Sequence, residues 1–115
     1  MYQVIFSAQS MTELELLGLE NQLLVLNRLS ALDFEAMEKD PCFGKFTRDN
    51  KIYYRVRLEE FRVYFEKQEE VLNVHYILPK HTWNDFVFRF KLPFNDELAI
   101  EKDNFFWKYL DSLRK

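Results

Sequence analysis

A chain of 115 residues that is 48% hydrophobic, with twelve phenylalanines, can bury a core and is expected to form one domain spanning residues 1–115. Two glycines and three prolines exclude linkers and low-complexity segments, and the lone Cys42 excludes an intrachain disulfide or a thiolate metal cluster. No run approaches the roughly 20 apolar residues of a membrane span, and the start MYQVIFSAQSM lacks a signal-peptide pattern. The sequence therefore predicts a cytoplasmic protein with no membrane contact, no cofactor and no stable metal.

The net charge of −3 is unevenly spread. Residues 1–40 carry two basic and seven acidic groups, whereas residues 41–91 carry ten basic and seven acidic. That balance excludes a general nucleic-acid binder, because unspecific affinity comes from releasing counterions at many cationic contacts. Any contact with nucleic acid must be local.

In chain order, residues 2–7 (YQVIFS) read as a short apolar strand, central or paired to the third strand of the later run. Ser10 with Glu13 three residues on forms a capping-box pattern, predicting a helix start there. Gly18 breaks the segment. A second helix follows, in which Leu19, Leu23, Val25, Leu26, Leu29 and Leu32 make a broad apolar stripe suited to packing on a sheet. Residues 33–39 extend that helix until Asp40-Pro41 ends it, since proline disfavours helical geometry in the residue before it. Residues 42–50 read as a loop.

Residues 52–81, IYYRVRLEEFRVYFEKQEEVLNVHYILPKH, read as three consecutive strands. Alternate side chains of a strand point to opposite faces. Ile52, Tyr54, Val56, Leu58, Phe61, Val63, Phe65, Leu72, Val74, Tyr76 and Leu78 then share an apolar face. Tyr53, Arg55, Arg57, Arg62, Tyr64, Glu66, Asn73 and His75 share the other. Turns fall at Glu59-Glu60 and near residues 68–70, and Pro79 ends the last strand. A short helix or turn runs from Trp83 to Phe90. Beyond Pro93, Asn95-Asp96 caps a short turn, and Asp103 or Asn104 caps a last helix with Phe106, Leu110 and Leu113 aligned. Its aromatic richness predicts docking onto the same chain. His75 reads as a structural hydrogen-bonder.

The order strand, helix, helix, three strands, with YRVRL, EFRVYF and YILPKH, resembles the RelE/ParE superfamily of toxins from bacterial toxin–antitoxin pairs, over about residues 2–88. The resemblance implies an α+β fold. It would have an antiparallel-rich four-stranded sheet, two N-terminal helices on one face, a core over 2–90 and a helical extension over 91–115. It implies a ribosome-dependent endoribonuclease that cuts messenger RNA, with ribosome-bound mRNA and a cognate antitoxin as partners. By the same resemblance Arg55 and Arg57 hold the RNA backbone, and Arg62 binds the scissile phosphate. Lys80 and His81 form the basic pair after the last strand.

These residue types suit the chemistry. Arginine offers a planar, permanently charged fork for phosphate oxygens, and histidine exchanges a proton near neutral pH. Trp83 is a candidate for stacking a base, a contact usually worth about 1–3 kcal/mol. Residues 86–88 read FVF where such toxins often carry a tyrosine. The alternatives are a ParE-like, non-catalytic inhibitor of gyrase and an inactive relative that keeps antitoxin binding. Convergence of Arg55, Arg57, Arg62 and His81 on one phosphate would favour the nuclease. A sheet face closed by Glu–Arg pairs or by the C-terminal helix would favour the inactive relative.

Overall fold

The computed structural model of the protein describes residues 1–89 and 97–112. Its centre is a five-stranded mixed sheet of β1 (Gln3–Phe6), β2 (Phe43–Arg48), β3 (Lys51–Arg57), β4 (Phe61–Gln68) and β5 (Val71–Pro79), ordered β1-β5-β4-β3-β2. Of the two placements open to residues 2–7, pairing with the third strand of the run is the one adopted. β1 lies parallel to β5 at one edge, and the other pairs are antiparallel.

The expected four-stranded sheet is corrected to five by β2, which occupies residues read as a loop. Its signal was present. Asp49 and Asn50 both take positive φ, 53° and 64°, the geometry of a two-residue primed hairpin turn. Asp and Asn tolerate that geometry better than most side chains. Along β2, Gly44 and Phe46 are buried while Lys45 and Thr47 are exposed, a two-residue alternation shortened by a glycine.

Helices α1 (Ala8–Leu16), α2 (Leu19–Ser30) and α3 (Phe34–Met37) belong to one face. There Leu14, Val25 and Leu29 pack against Val56, Phe61, Val63, Phe65, Leu72, Val74 and Ile77. α1 begins before the predicted capping box: Ser7 is the N-cap, and its Oγ accepts from the Ser10 amide. Ser10 is itself buried and donates from Oγ to the Val74 carbonyl. Gly18 does separate α1 from α2, as the N-cap of the latter. Residues 33–39 do not prolong α2; Asp33 caps α3 by accepting from the Glu35 and Ala36 amides. The leucine stripe is also only half used. Val25 and Leu29 are buried, but Leu19, Leu23, Leu24 and Leu26 remain exposed.

Between β4 and β5 the register passes from Tyr64↔Tyr76 to Phe65↔Val74, so His75 is an extra residue on β5. A bulge of this kind shifts the alternation by one. Beyond it Ile77 takes the helix-covered face, and Tyr76 and Leu78, expected there, turn to the opposite one. Ser7 Oγ donates to the His75 carbonyl at 2.6 Å, which ties the bulge to the start of α1. The His75 ring meets Glu66 at 2.7 Å, the structural role expected of it.

The opposite face is covered by α4 (Lys80–Arg89), α5 (Glu97–Lys102) and α6 (Asn104–Ser112). Phe46, Tyr53, Tyr64, Tyr76 and Leu78 of the sheet pack there with Trp83, Phe86, Val87, Ile100, Phe106, Trp107 and Leu110. Docking of the last helix on its own chain is therefore observed, and Asp103 caps it by accepting from the Phe105 amide. Asn95, Asp96 and Leu113, also named from the sequence, lie outside the described residues. Burying Ile100, Phe106 and Leu110 is worth about 1.5–3 kcal/mol each as an upper estimate. The sum is a large share of the stability of a typical domain, about 5–15 kcal/mol. Among the described residues no helix is long and apolar enough to cross a membrane.

Candidate functional site

The sheet face bearing Arg55, Arg57, Arg62 and Tyr64 is not an open platform. Glu101 of α5, fully buried, sits on it. Arg55 Nε donates to both carboxylate oxygens, at 3.1 and 3.3 Å, and its Nη2 donates to Oε1 at 3.3 Å. The guanidinium also reaches the Pro41 carbonyl. Tyr64 donates from its hydroxyl to Glu101 Oε2 at 2.6 Å. Burial lifts the Glu101 carboxyl above its ordinary value, against the opposing pull of Arg55, of the Tyr64 hydrogen bond and of Arg62. Burial first, then the Glu101 charge, pushes Tyr64 well up, so its proton stays on and is donated.

Gly44 makes this arrangement possible. It pairs with Arg55 across β2 and β3, and a Cβ there would lie 2.8 Å from Arg55 Nη2. Arg55, only 3% exposed, thus serves as a structural counter-ion. The guanidinium expected to hold an RNA backbone is bonded in this structure to the Glu101 carboxylate.

Four of the six residues singled out from the sequence meet at the end of the β3–β4 hairpin. Arg57, Arg62, Lys80 and Trp83 line a cleft of about 730 Å³, together with Leu24, Arg28, Cys42, Leu58, Glu59, Phe61 and Asn84. The local chain accounts for the convergence. Leu58 donates from its amide to the Phe61 carbonyl and closes the hairpin, which sets Arg57 directly opposite Arg62. The Lys80 amide donates to the Glu60 carbonyl at 2.8 Å, holding the start of α4 against the same turn. The Arg57 amide donates to the Cys42 carbonyl and fixes the third side. Like charges placed opposite one another across two strands are unfavourable, and Glu101 beside Arg62 and Glu59 in the cleft lining bring negative charge to this point.

Arg62 is held on two sides. Its guanidinium lies 3.9 Å over the Trp83 ring, and Nη1 is 3.8 Å from Glu101 Oε2. Trp83 is buried, with that cation on its face and Phe106 against it edge-on. The ring expected to stack a nucleic-acid base carries the Arg62 guanidinium on its face in this structure. His81, one residue beyond Lys80, does not line the cleft. It is exposed and acts electrostatically on Glu13 of α1, lowering a carboxyl that burial raises.

The sequence reading missed Glu101, Arg28 and Glu59 as members of the site. Nothing in residues 97–102 (ELAIEK) marks the glutamate as buried; only the tertiary position of α5 does. Arg28 was legible as a cation in the last turn of α2, but not as the far wall of a cleft.

The fold is RelE-like. A chain of the crystal structure of the archaeal RelE–RelB complex from Pyrococcus horikoshii OT3 superposes with a TM-score of 0.55. The match covers 69% of this chain and 94% of the other, at 20% identity. No family model and no curated protein matches the sequence. About a third of this chain therefore lies outside the likeness.

Proposed function

We propose that the protein is a RelE-like toxin of a toxin–antitoxin pair, which binds messenger RNA on the ribosome in the hairpin cleft and cuts it there. The observation that supports this reading is the meeting of Arg57, Arg62 and Lys80 around one cleft on a RelE-like fold, with Arg55 and His81, the other members of the expected convergence, standing outside it. Cleavage needs a base on the 2′-hydroxyl, cations on the pentavalent phosphate and an acid on the leaving 5′-oxygen.

In this reading Glu59 takes the 2′-proton as the O2′–P bond forms. Arg57 and Arg62 stabilise the phosphate oxygens. Lys80 gives a proton to O5′ as the P–O5′ bond breaks, leaving a 2′,3′-cyclic phosphate and a 5′-hydroxyl. A positioned acid or base contributes typically about 10²–10⁴-fold. Arg62, clamped by Trp83 and Glu101, needs little reorganisation to meet the charge. His81, away from the cleft, takes no part in the transfer.

A cognate antitoxin is the proposed protein partner. The structural neighbour was solved as a RelE–RelB complex. The exposed Leu19, Leu23 and Leu26 of α2 supply an apolar surface for such a partner. The site of action is the cytoplasm, where translating ribosomes are.

A second reading, a non-catalytic protein-binding toxin or an inactive relative, is favoured by the closure of the Arg55 face over Glu101. Inducible expression in a bacterial host without the antitoxin separates the readings, with primer-extension mapping of a translated message. The nuclease reading predicts growth arrest with new, translation-dependent cuts that Arg57→Ala/Lys80→Ala abolishes. Arrest with intact messages selects a protein target. Normal growth with abundant folded protein selects the inactive relative.

A further inference from the structure

Three elements line the cleft, and α2 has no role in it so far. The hairpin contributes Arg57, Leu58, Glu59, Phe61 and Arg62, and α4 contributes Lys80, Trp83 and Asn84. From α2 come Leu24 and Arg28. Arg28 lies in the last turn of α2, where any cation is stabilised by the helix dipole, so its charge alone needs no function.

Its surroundings point further. Among the described residues Arg28 and Lys80 pair with no carboxylate, and both are exposed residues of the same cleft, carried by different helices. Arg55, outside the cleft, is bonded to Glu101. Of the four cations lining the cleft, Arg62 lies beside Glu101, whereas Arg28 and Lys80 are exposed and stand on different helices.

We propose that Arg28 is a phosphate-binding residue, and that the cleft is a channel through which a single-stranded phosphodiester runs between α2 and α4. The inference rests on the reading of the cleft as the RNA site. It adds a contact from a helix otherwise concerned with packing. A strand in the channel meets cations from three elements, the hairpin, α2 and α4.

Each cationic contact to a single strand contributes a slope of about −0.7 to the dependence of log affinity on log salt. The test is fluorescence anisotropy of a labelled hexauridylate against the full chain, between about 50 and 300 mM salt. Wild type is compared with Arg28→Ala, Arg57→Ala, the double variant and Lys108→Ala, the last an exposed cation on α6. We expect Arg28→Ala and Arg57→Ala each to weaken binding several-fold and to reduce the slope by about 0.7. The double variant should lose about 1.4, and Lys108→Ala should behave as wild type. Arg28→Gln, which keeps the polar reach without the charge, should show the same slope loss. Unchanged affinity and slope in Arg28→Ala beside a loss in Arg57→Ala overturns this inference and leaves the cleft reading standing. A wild type that does not bind free RNA overturns this inference and leaves the ribosome-dependent reading to its own test, whereas a wild type that binds while Arg57→Ala is unaffected overturns both. Circular dichroism of each variant confirms that it is folded.

Discussion

Glu101 is the residue on which the rest of the sheet face depends. It accepts from Arg55 and Tyr64 and lies beside Arg62, all in the interior. Removing one partner of such a group leaves buried charge uncompensated, at about 3–5 kcal/mol. Glu101→Ala is expected to lose that much in urea denaturation. Glu101→Gln, which keeps an acceptor and resembles the protonated form, should lose clearly less. The two glutamate forms also give a pH signature. Because burial raises this carboxyl, its contribution to stability is fully present below its ordinary value of 4.5. That contribution is lost as pH rises through the raised value. The stability of wild type should therefore fall relative to Glu101→Gln as pH rises through that window. Urea midpoints measured across it check the sign, and parallel profiles for the two proteins contradict it.

Gly44 is the second residue whose effect can be argued singly. Its φ is negative, so its value lies in space rather than in conformation. A Cβ would meet the Arg55 guanidinium at 2.8–2.9 Å and Leu98 at 3.1 Å. Arg55 is not free to yield, being bonded to Glu101. Overpacking of this kind costs typically about 1–3 kcal/mol. Gly44→Ala should lower the denaturation midpoint accordingly, and should cost less when added to Arg55→Met than when added to wild type.

At the scale of elements, α5 and α6 decide what the sheet can do. Trp107 lies among the rings of Phe46, Tyr53, Tyr64, Tyr76 and Phe106, and its Nε1 donates to the Glu101 carbonyl at 2.6 Å. Tyr76 also donates to Asp111 of α6. These helices complete the core and cannot act as a removable cover. A chain ending at residue 96 should expose Tyr64, Tyr76 and Phe86, bind a hydrophobic dye and lose cooperative unfolding. A truncated chain that stays folded with Arg55 open to solvent would contradict this.

The same elements show what was legible. Two-residue alternation placed Val56, Val63 and Phe65 on the α1–α2 face and Arg55, Arg62 and Tyr64 on the other, because strand geometry is local. It failed at Tyr76 and Leu78, where one extra residue, His75, shifts the count. β2 was missed although Asp49-Asn50 announced its turn, since Gly44 and the basic residues around it resemble a loop. The capping residue of α1 was misplaced by three because Ser7 and Ser10 are both competent caps. Only the tertiary contact to β5 separates them.

At the scale of the whole molecule, the arginines of β3 and β4 stand in two settings. Arg55 is closed by Glu101 beneath the C-terminal helices, Arg57 opens into the hairpin cleft, and Arg62 touches both. Of the expected convergence of Arg55, Arg57, Arg62 and His81, only Arg57 and Arg62 share the cleft, because their hairpin pairing is short-range, and Lys80 joins them where His81 does not. The sequence could not show that Arg55 is withdrawn, because the partner that withdraws it lies 46 residues away on another helix.

That division is the central claim, and the side-chain NMR signals of the arginines test it directly. Titrating a short single-stranded RNA into isotopically labelled protein should shift the Nε–Hε resonances of Arg57 and Arg28. The Arg55 signal should stay in place, with slow exchange against water in the free and bound states alike. An Arg55 signal that exchanges freely and moves with RNA, while Arg57 stays still, would place the binding site on the sheet face and contradict the account.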